Sequence, residues 1–458
     1  MTFLATPTAG LDELAAALPG QVHLPSDSDW DEHRLPWARA VDQEPVAVVT
    51  ATTADDVVTA TRYAIAAGLT VAAQPVGHGA TTAITGTVLV RTRGLQEIRV
   101  DVENRVARVG AGVKWGELLA HTAPHGLTGL AGSSSDPTVV GFSVSGGLSW
   151  FGRAHGLAAH SIRAVELVDA TGELRRVTAD SDPDLFWAVR GGGGDFGIVT
   201  AMEIDLFPAP HVYGGRLLWP IEMAYPVLKA FQQITATAPD ELTLWAHLLR
   251  FPPLPELPEF LRGGSFVSVD ATFLGSAEDA EALLAPLRTI PATHFDSMGT
   301  VPVDRLGDIC AEPTDPMPTA EYSSLMTDFG DDALDALLAE VGHQATSPLL
   351  VVQIRHLGGA LARGTSAQGP SGTVTEPYQL FALGLPMFPE LAAALEMSFV
   401  GLQVALDGHL SDRTFFTFLG HDADSSRAFS AQAMERLREI KRTVDPDGVI
   451  RSNRPVTR

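Results

Sequence analysis

Cysteine is nearly absent from this chain of 458 residues: Cys310 stands alone, so no disulfide can form within it. That suits a reducing compartment, and a cytoplasmic location is expected. Positive charge is also scarce. Against 55 Asp and Glu there are 31 Lys and Arg, a formal net charge of −24. Nucleic acid and anionic membrane both demand a cationic face, so neither is an expected partner. No apolar run approaches the roughly 18 residues of a membrane span. Met1-Thr2-Phe3-Leu4-Ala5 lacks the basic stretch and long apolar run of a secretory signal. No internal repeat is visible, and nothing in the sequence speaks to oligomeric state.

What is present is an ordinary globular composition, 45% hydrophobic and 19% charged. A chain of this length exceeds a single core and suits two domains. Thr53-Ala54-Asp55-Asp56 opens an amphipathic helix with Val57, Val58, Tyr63 and Ile65 on one side, and Gly68 ends it. Arg99 to Ala107 and Ala164 to Val177 read as hairpins. This half mixes short strands and helices, as α+β domains do. Pro208-Ala209-Pro210 interrupts both and marks a boundary. Beyond it lie strand candidates Leu242 to Arg250, Ser265 to Leu274 and Leu349 to Leu357, and helices Ala277 to Leu287 and Asp331 to Val341. Ser425 to Thr443 reads as a final helix. The expected division is 1–210, 211–410 and 411–458, with the last segment returning to the first.

Three small-residue elements carry the chemistry. The first is Gln74-Pro75-Val76-Gly77-His78-Gly79, a tight turn between two apolar strands with one histidine inside it. The second runs from Gly132-Ser133-Ser134-Ser135-Asp136 through Val139, Gly141 and Phe142 to Gly146-Gly147. The third is Arg190-Gly191-Gly192-Gly193-Gly194-Asp195-Phe196-Gly197-Ile198-Val199. Gly192, Gly194 and Gly197 satisfy the spacing G-x-G-x-x-G. However, a β-branched strand follows rather than a helix, and no acid lies near position 217, so a Rossmann site is rejected. His121 and His125 stand four apart but straddle Pro124 and lack the glutamate of a zinc motif, so no metal site is expected.

Together these elements resemble the flavin-binding domain of the vanillyl-alcohol-oxidase superfamily, in its berberine-bridge-enzyme-like branch. The resemblance covers about residues 30–210 and returns at about 430–458. It implies an α+β, two-domain, PCMH-type FAD-binding fold with an α/β substrate domain built on an antiparallel sheet. It also implies FAD, held by Gln74, Pro75, Val76, Gly77, His78 and Gly79, then Gly132, Ser133, Ser134, Asp136, Val139, Gly141, Phe142, Gly146 and Gly147. Gly197, Ile198 and Val199, with Asn453 from the returning segment, complete the set. Backbone N–H groups in Gly-rich turns can hold a pyrophosphate without net charge, which a protein this acidic needs. By resemblance, His78 joins the protein to the flavin at its 8α carbon. The family's second link, through cysteine, falls at Ser134 or Asp136 depending on the count, so a single link through His78 is expected. Gln74, Pro75 and Val76 depart from the family's usual Arg-Gly-Gly.

The resemblance implies an FAD-dependent oxidoreductase taking hydride from a C–H of a small alcohol, sugar or secondary metabolite, with oxygen as acceptor. A flavin dehydrogenase with another acceptor and a silent flavin-binding module remain as alternatives. The family's Tyr-x-Asn phrase is replaced by Phe415-Phe416-Thr417-Phe418. The catalytic candidates therefore move to the substrate sheet: Gln353, Arg355, His356 and Tyr378, with His247 and Glu321 behind them. Arg355 and His356 are neighbours on a strand, so only one of them can face the site.

Overall fold

The computed structural model describes residues 10–365 and 368–456. Its first sheet has three parallel strands, β1 (Ala47–Thr50), β2 (Val71–Ala73) and β3 (Val88–Arg91), with β3 between the other two, and the short segment Val22–His23 pairs antiparallel with β1 at its edge. The helix Ala54–Ala66 joins β1 to β2. Thr53 Oγ1 accepts from the Asp56 N–H at 3.2 Å, and the Asp56 carboxylate accepts from the Thr53 N–H at 2.9 Å. This reciprocal cap starts the helix where the sequence places it. Its buried stripe is Val57, Ala60, Thr61 and Ala64. Val58 and Tyr63 are only half-buried and Ile65 is exposed. Turning about 100° per residue, positions 57, 60, 61 and 64 share one line, while 58 and 65 lie beside it.

The second sheet is antiparallel: β4 (Ile98–Asp101), β5 (Val106–Gly110), β6 (Ile162–Val168), β7 (Leu174–Val177) and β8 (Ile198–Asp205), in the order β4-β5-β8-β6-β7. Both expected hairpins are here. A strand, β8, leaves the third glycine element directly.

The third sheet is larger. It contains β9 (Tyr213–Pro220), β10 (Leu242–Arg250), β11 (Ser265–Phe273), β12 (Ala320–Met326), β13 (Val351–His356) and β14 (Tyr378–Gly384), in the order β9-β11-β10-β13-β14-β12. All six pair antiparallel. Alternation gives the sheet two unlike faces. Leu244, Val269, Ile354 and Leu380 pack with Phe231, Leu334 and Phe399 of the covering helices. The opposite face carries Arg216, Trp245, His247, Asp270, Gln353, Arg355, Gln379 and Ser323. It is turned toward the first unit: Trp245 stacks on Trp150 at 3.7 Å between centroids, and Thr272 Oγ1 donates to the Trp150 carbonyl at 3.3 Å.

The C-terminal helix runs Ala431–Val444 rather than from Ser425. Ser430 Oγ caps it by accepting from the Ala433 N–H at 3.1 Å, and Ser425–Ala428 forms a separate single turn. Buried Lys441 donates to the carbonyls of Asp195 at 2.6 Å and Ile450 at 2.7 Å, and to the Asp445 carboxylate at 2.7 Å. The Asp195 carboxylate in turn accepts from the Val456 N–H at 3.0 Å. The third glycine element is thereby tied to the chain's last turn.

Candidate active site

The first two loops converge on His78. A Cβ at Gly77, where φ is 103°, would lie 2.7 Å from Pro36 Cβ, so only glycine fits. At Gly79 a Cβ would meet nothing within 4 Å, which leaves open space beside the histidine. The His78 ring stacks on Trp37 at 4.5 Å, and its Nε2 lies 3.3 Å from Asp136 Oδ2. Asp136 is buried and also pairs with Lys114. Burial alone would push its carboxyl up, but His78 and Lys114 hold it below the usual range. A carboxylate at Nε2 favours the proton there and leaves the lone pair on Nδ1. Neither Trp37 nor Lys114 was legible as a site residue, since nothing local marks a residue that arrives from another element.

Gln74 and Asn453 meet, but chiefly each other. Asn453 Nδ2 donates to Gln74 Oε1 at 2.9 Å, and Gln74 Nε2 donates to Gln43 Oε1 at 3.0 Å. Gln43 Nε2 donates to the Thr81 carbonyl at 2.7 Å. These amides are satisfied inside the protein, so Gln74 does not stand in for a phosphate-binding arginine. It ties the loop to the C-terminal segment instead. Arg91, at the end of β3, is the buried cation nearby. It donates to the carbonyls of His33, Arg34 and Leu35 at 2.9 Å each and shapes the segment under the loop.

In the second element Pro75 Cγ lies 3.7 Å from a Cβ built on Gly141, so the two loops touch. Ser134 Oγ accepts from the Asp136 N–H at 3.3 Å. Val139, Gly141 and Phe142 belong to a helix, Val139–Val144, capped by Thr138. The Phe142 ring covers Gly132 and Gly147, where added Cβ atoms would sit 3.1 and 2.5 Å from it. Those three residues thus pack on one another. The third element likewise packs on protein. Cβ atoms at Gly192, Gly193 and Gly197 would meet Ala188 O at 2.4 Å, Phe416 at 2.9 Å and Leu167 at 2.9 Å. Ile198 and Val199 are buried. Each of these glycines leaves room for the neighbouring chain that packs on it.

The catalytic candidates separate by face. Gln353 and Arg355 lie on the polar face of β13, where Arg355 Nε donates to Gln353 Oε1 at 2.8 Å. His356 and Tyr378 lie on the other side. His356 Nε2 is 3.1 Å from Arg153 Nη1, and the Tyr378 hydroxyl is 2.7 Å from Thr235 Oγ1. Both are committed to holding the sheet against its neighbours, which removes them from the site. Glu321 is half-buried on β12, and burial raises its pKa against the pull of His421. His247 stands opposite Gln353 in register, with Nε2 3.2 Å from Asp270 Oδ2. Arg216 grips both oxygens of Asp270 at 2.7 and 2.6 Å, and Cys310 Sγ lies 3.1 Å away. Burial pushes Asp270 up, yet Arg216 and His247 hold it well below the carboxylate range. His247, Asp270 and Cys310 have ligand atoms close enough for a metal, but the guanidinium already occupies both carboxylate oxygens. Asp270 is the one charged residue in the strand Ser265–Phe273, a visible signal in the sequence.

Several buried histidines are neutral. Burial and Arg153 push His356 down to about 3, and burial and Arg190 push His160 down to about 4. The unfolded chain takes up protons below the ordinary histidine pKa, whereas the folded protein does so only nearer those lower values. Stability is therefore full above about pH 6.5 and is lost as pH falls below it. At pH 5 each of these histidines should cost about 2 kcal/mol. Thermal unfolding at pH 7 and pH 5 checks this, with a clearly lower Tm expected at pH 5.

Comparison with known proteins agrees with the geometry. The family described as FAD binding domain matches residues 45–178. The chain is 26% identical over 460 residues to (R)-6-hydroxynicotine oxidase of Paenarthrobacter nicotinovorans, covering 95% of this chain and 96% of that one. It is 32% identical over 211 residues to an FAD-dependent monooxygenase of Fusarium proliferatum, a match spanning 44% of this chain and 41% of the other. In fold it resembles Physcomitrella patens BBE-like 1, with a TM-score of 0.84 and 18% identity over 97% of this chain and 98% of that one. Two loops meeting at a histidine and these likenesses lead to one conclusion: the chain is an FAD-linked oxidoreductase that carries an FAD-binding domain over residues 45–178 and shares its fold with BBE-like proteins.

Proposed function

We propose that the chain holds FAD through one covalent bond, at His78, and oxidises a small alcohol, sugar or secondary metabolite with molecular oxygen as acceptor. In this reading residues 1–210 and 411–458 hold the cofactor, and 211–410 bind substrate. The observation that carries it is the setting of His78. Its ring is oriented by Asp136 and Trp37, and open space lies at Gly79 beside it. The backbone of 74–79 and of 132–136 supplies N–H groups suited to the pyrophosphate. When bound, FAD supplies the two-electron acceptor for hydride from a substrate C–H and passes the electrons on to oxygen.

The chain's own residues do the rest. Gln353 and Arg355 contact and orient the substrate. His247 accepts the substrate proton. Burial lowers its pKa, so it is a neutral base at pH 7, and Asp270 fixes the ring through Nε2. One relative that matches end to end bears the name oxidase, which supports oxygen as acceptor. With a substrate that bleaches the flavin anaerobically, oxygen uptake and peroxide release should be stoichiometric in air. Bleaching without oxygen uptake would assign the protein to the dehydrogenases instead.

A further inference from the structure

The polar face of the large sheet carries two buried arginines, and their settings differ. Arg216 is neutralised by both oxygens of Asp270 at 2.7 and 2.6 Å. Arg355 is 4% exposed and has no carboxylate within ion-pair distance among the described residues. Its Nε donates to Gln353, and no partner for either Nη is found among the described residues. Glu312 and Asp270 act on it only through space. Aromatic rings surround the guanidinium instead: Trp245 at 4.1 Å, Phe418 at 4.7 Å and Phe381 at 5.8 Å. Rings stabilise a cation but offer no hydrogen-bond acceptor in the plane of the fork. Beside it the Gln379 side-chain oxygen is buried without a donor, while its Nε2 donates to Ser323 Oγ at 2.9 Å.

A buried charge normally has a partner, because stripping its water is costly. In a protein with a net charge of −24, acids are plentiful, yet none is placed here. The free edge of a planar guanidinium fits the two oxygens of a carboxylate. The rings around it suit an apolar or aromatic body attached to that group.

We propose that Arg355 is the receptor for a substrate carboxylate, so that the site takes an aromatic or apolar carboxylic acid in its anionic form. Gln353 holds the guanidinium through Nε and leaves both Nη groups for the ligand. Trp245, Phe381 and Phe418 line the body of the acid. This deepens the reading above, since it rests on the polar face being the substrate site.

The test uses the purified flavin-loaded protein and benzoate, with benzamide as its neutral isostere. Binding is followed by calorimetry and by the flavin absorbance shift. Wild type should bind benzoate and bind benzamide at least about 30-fold more weakly, the scale of losing one member of a buried charge pair. Arg355→Met should lose the same factor for benzoate, and Arg355→Lys should recover part of it. Equal binding of benzoate and benzamide by wild type would overturn the proposal without any variant. So would unchanged benzoate affinity in a folded, yellow Arg355→Met, and so would flavin-loaded wild type that does not respond to benzoate. Were Arg355 a partner of the flavin itself, Arg355→Met would shift the flavin spectrum with no benzoate present and leave benzoate affinity intact. Protein that holds no flavin at all would instead count against the flavin reading, which separates the two failures.

Discussion

Acid precipitation of the wild-type protein is expected to leave its yellow colour in the pellet, and His78→Ala is expected to release all of it. The physical basis is local. His78 reaches the end of a turn in which Gly77 has no room for a side chain, and Gly79 opens space on its other side. Asp136 draws the ring proton to Nε2, so the free lone pair lies on Nδ1. Asp136→Asn keeps the shape but removes the charge, and it should slow formation of the link on adding FAD to apoprotein. The variant His78→Ala should still bind FAD without the bond, because the backbone of the two loops is unchanged. Wild-type flavin recovered entirely in the acid supernatant would defeat the single-link proposal while leaving cofactor binding untouched.

Replacing His247 by alanine should lower the anaerobic rate of flavin reduction by about 10²–10⁴-fold, the usual contribution of a general base. The flavin spectrum should stay as in wild type, since His247 is remote in sequence from the cofactor loops and stands on the substrate sheet. The pH profile supplies a second readout. Burial lowers the His247 pKa below its ordinary value, so the neutral base persists as pH falls through 6.5, and the rate should decline only below that point. Asp270→Asn should move this decline and also weaken the fold. Removing the carboxylate leaves Arg216 charged and buried without its partner, a loss of about 3–5 kcal/mol. If His247→Ala reduces its flavin at the wild-type rate, the proton acceptor is elsewhere on this face. Glu321, whose pKa burial raises, is then next to be replaced.

Much of the architecture could be read along the chain because its signals are short-range. Thr53 and Asp56 cap a helix within one turn, and the strand Leu242–Arg250 keeps the bounds read from its apolar run. The replacement of a Rossmann helix by the strand Ile198–Asp205 was visible in the β-branched residues that follow Gly197. The loop around His78 was legible for the same reason, since a turn with two glycines and one imidazole is encoded in six consecutive residues.

The site's partners were not legible, because they depend on which elements the fold sets side by side. Period-two alternation said that only one of Arg355 and His356 could face the site, but not which one. The choice follows from which face of the sheet packs on the helices and which on Trp150, and that is a matter of sheet stacking. Gln74, which stands where the family usually has arginine, bonds to Gln43 and Asn453, 31 and 379 positions away. Asp136, one of two positions where the family's cysteine would fall, lies against His78 Nε2. The lack of a carboxylate beside Arg355 among the described residues is the clearest case. Any of 55 acidic side chains could have paired with it as far as composition tells. The fold instead sets Trp245, Phe381 and Phe418 around the guanidinium, so the neighbours that pack against it are rings and none of the chain's own carboxylates among the described residues. Local sequence thus determined the elements and the turn that carries His78. The tertiary structure decided which charges meet, since burial and pairing belong to surfaces brought together from distant parts of the chain.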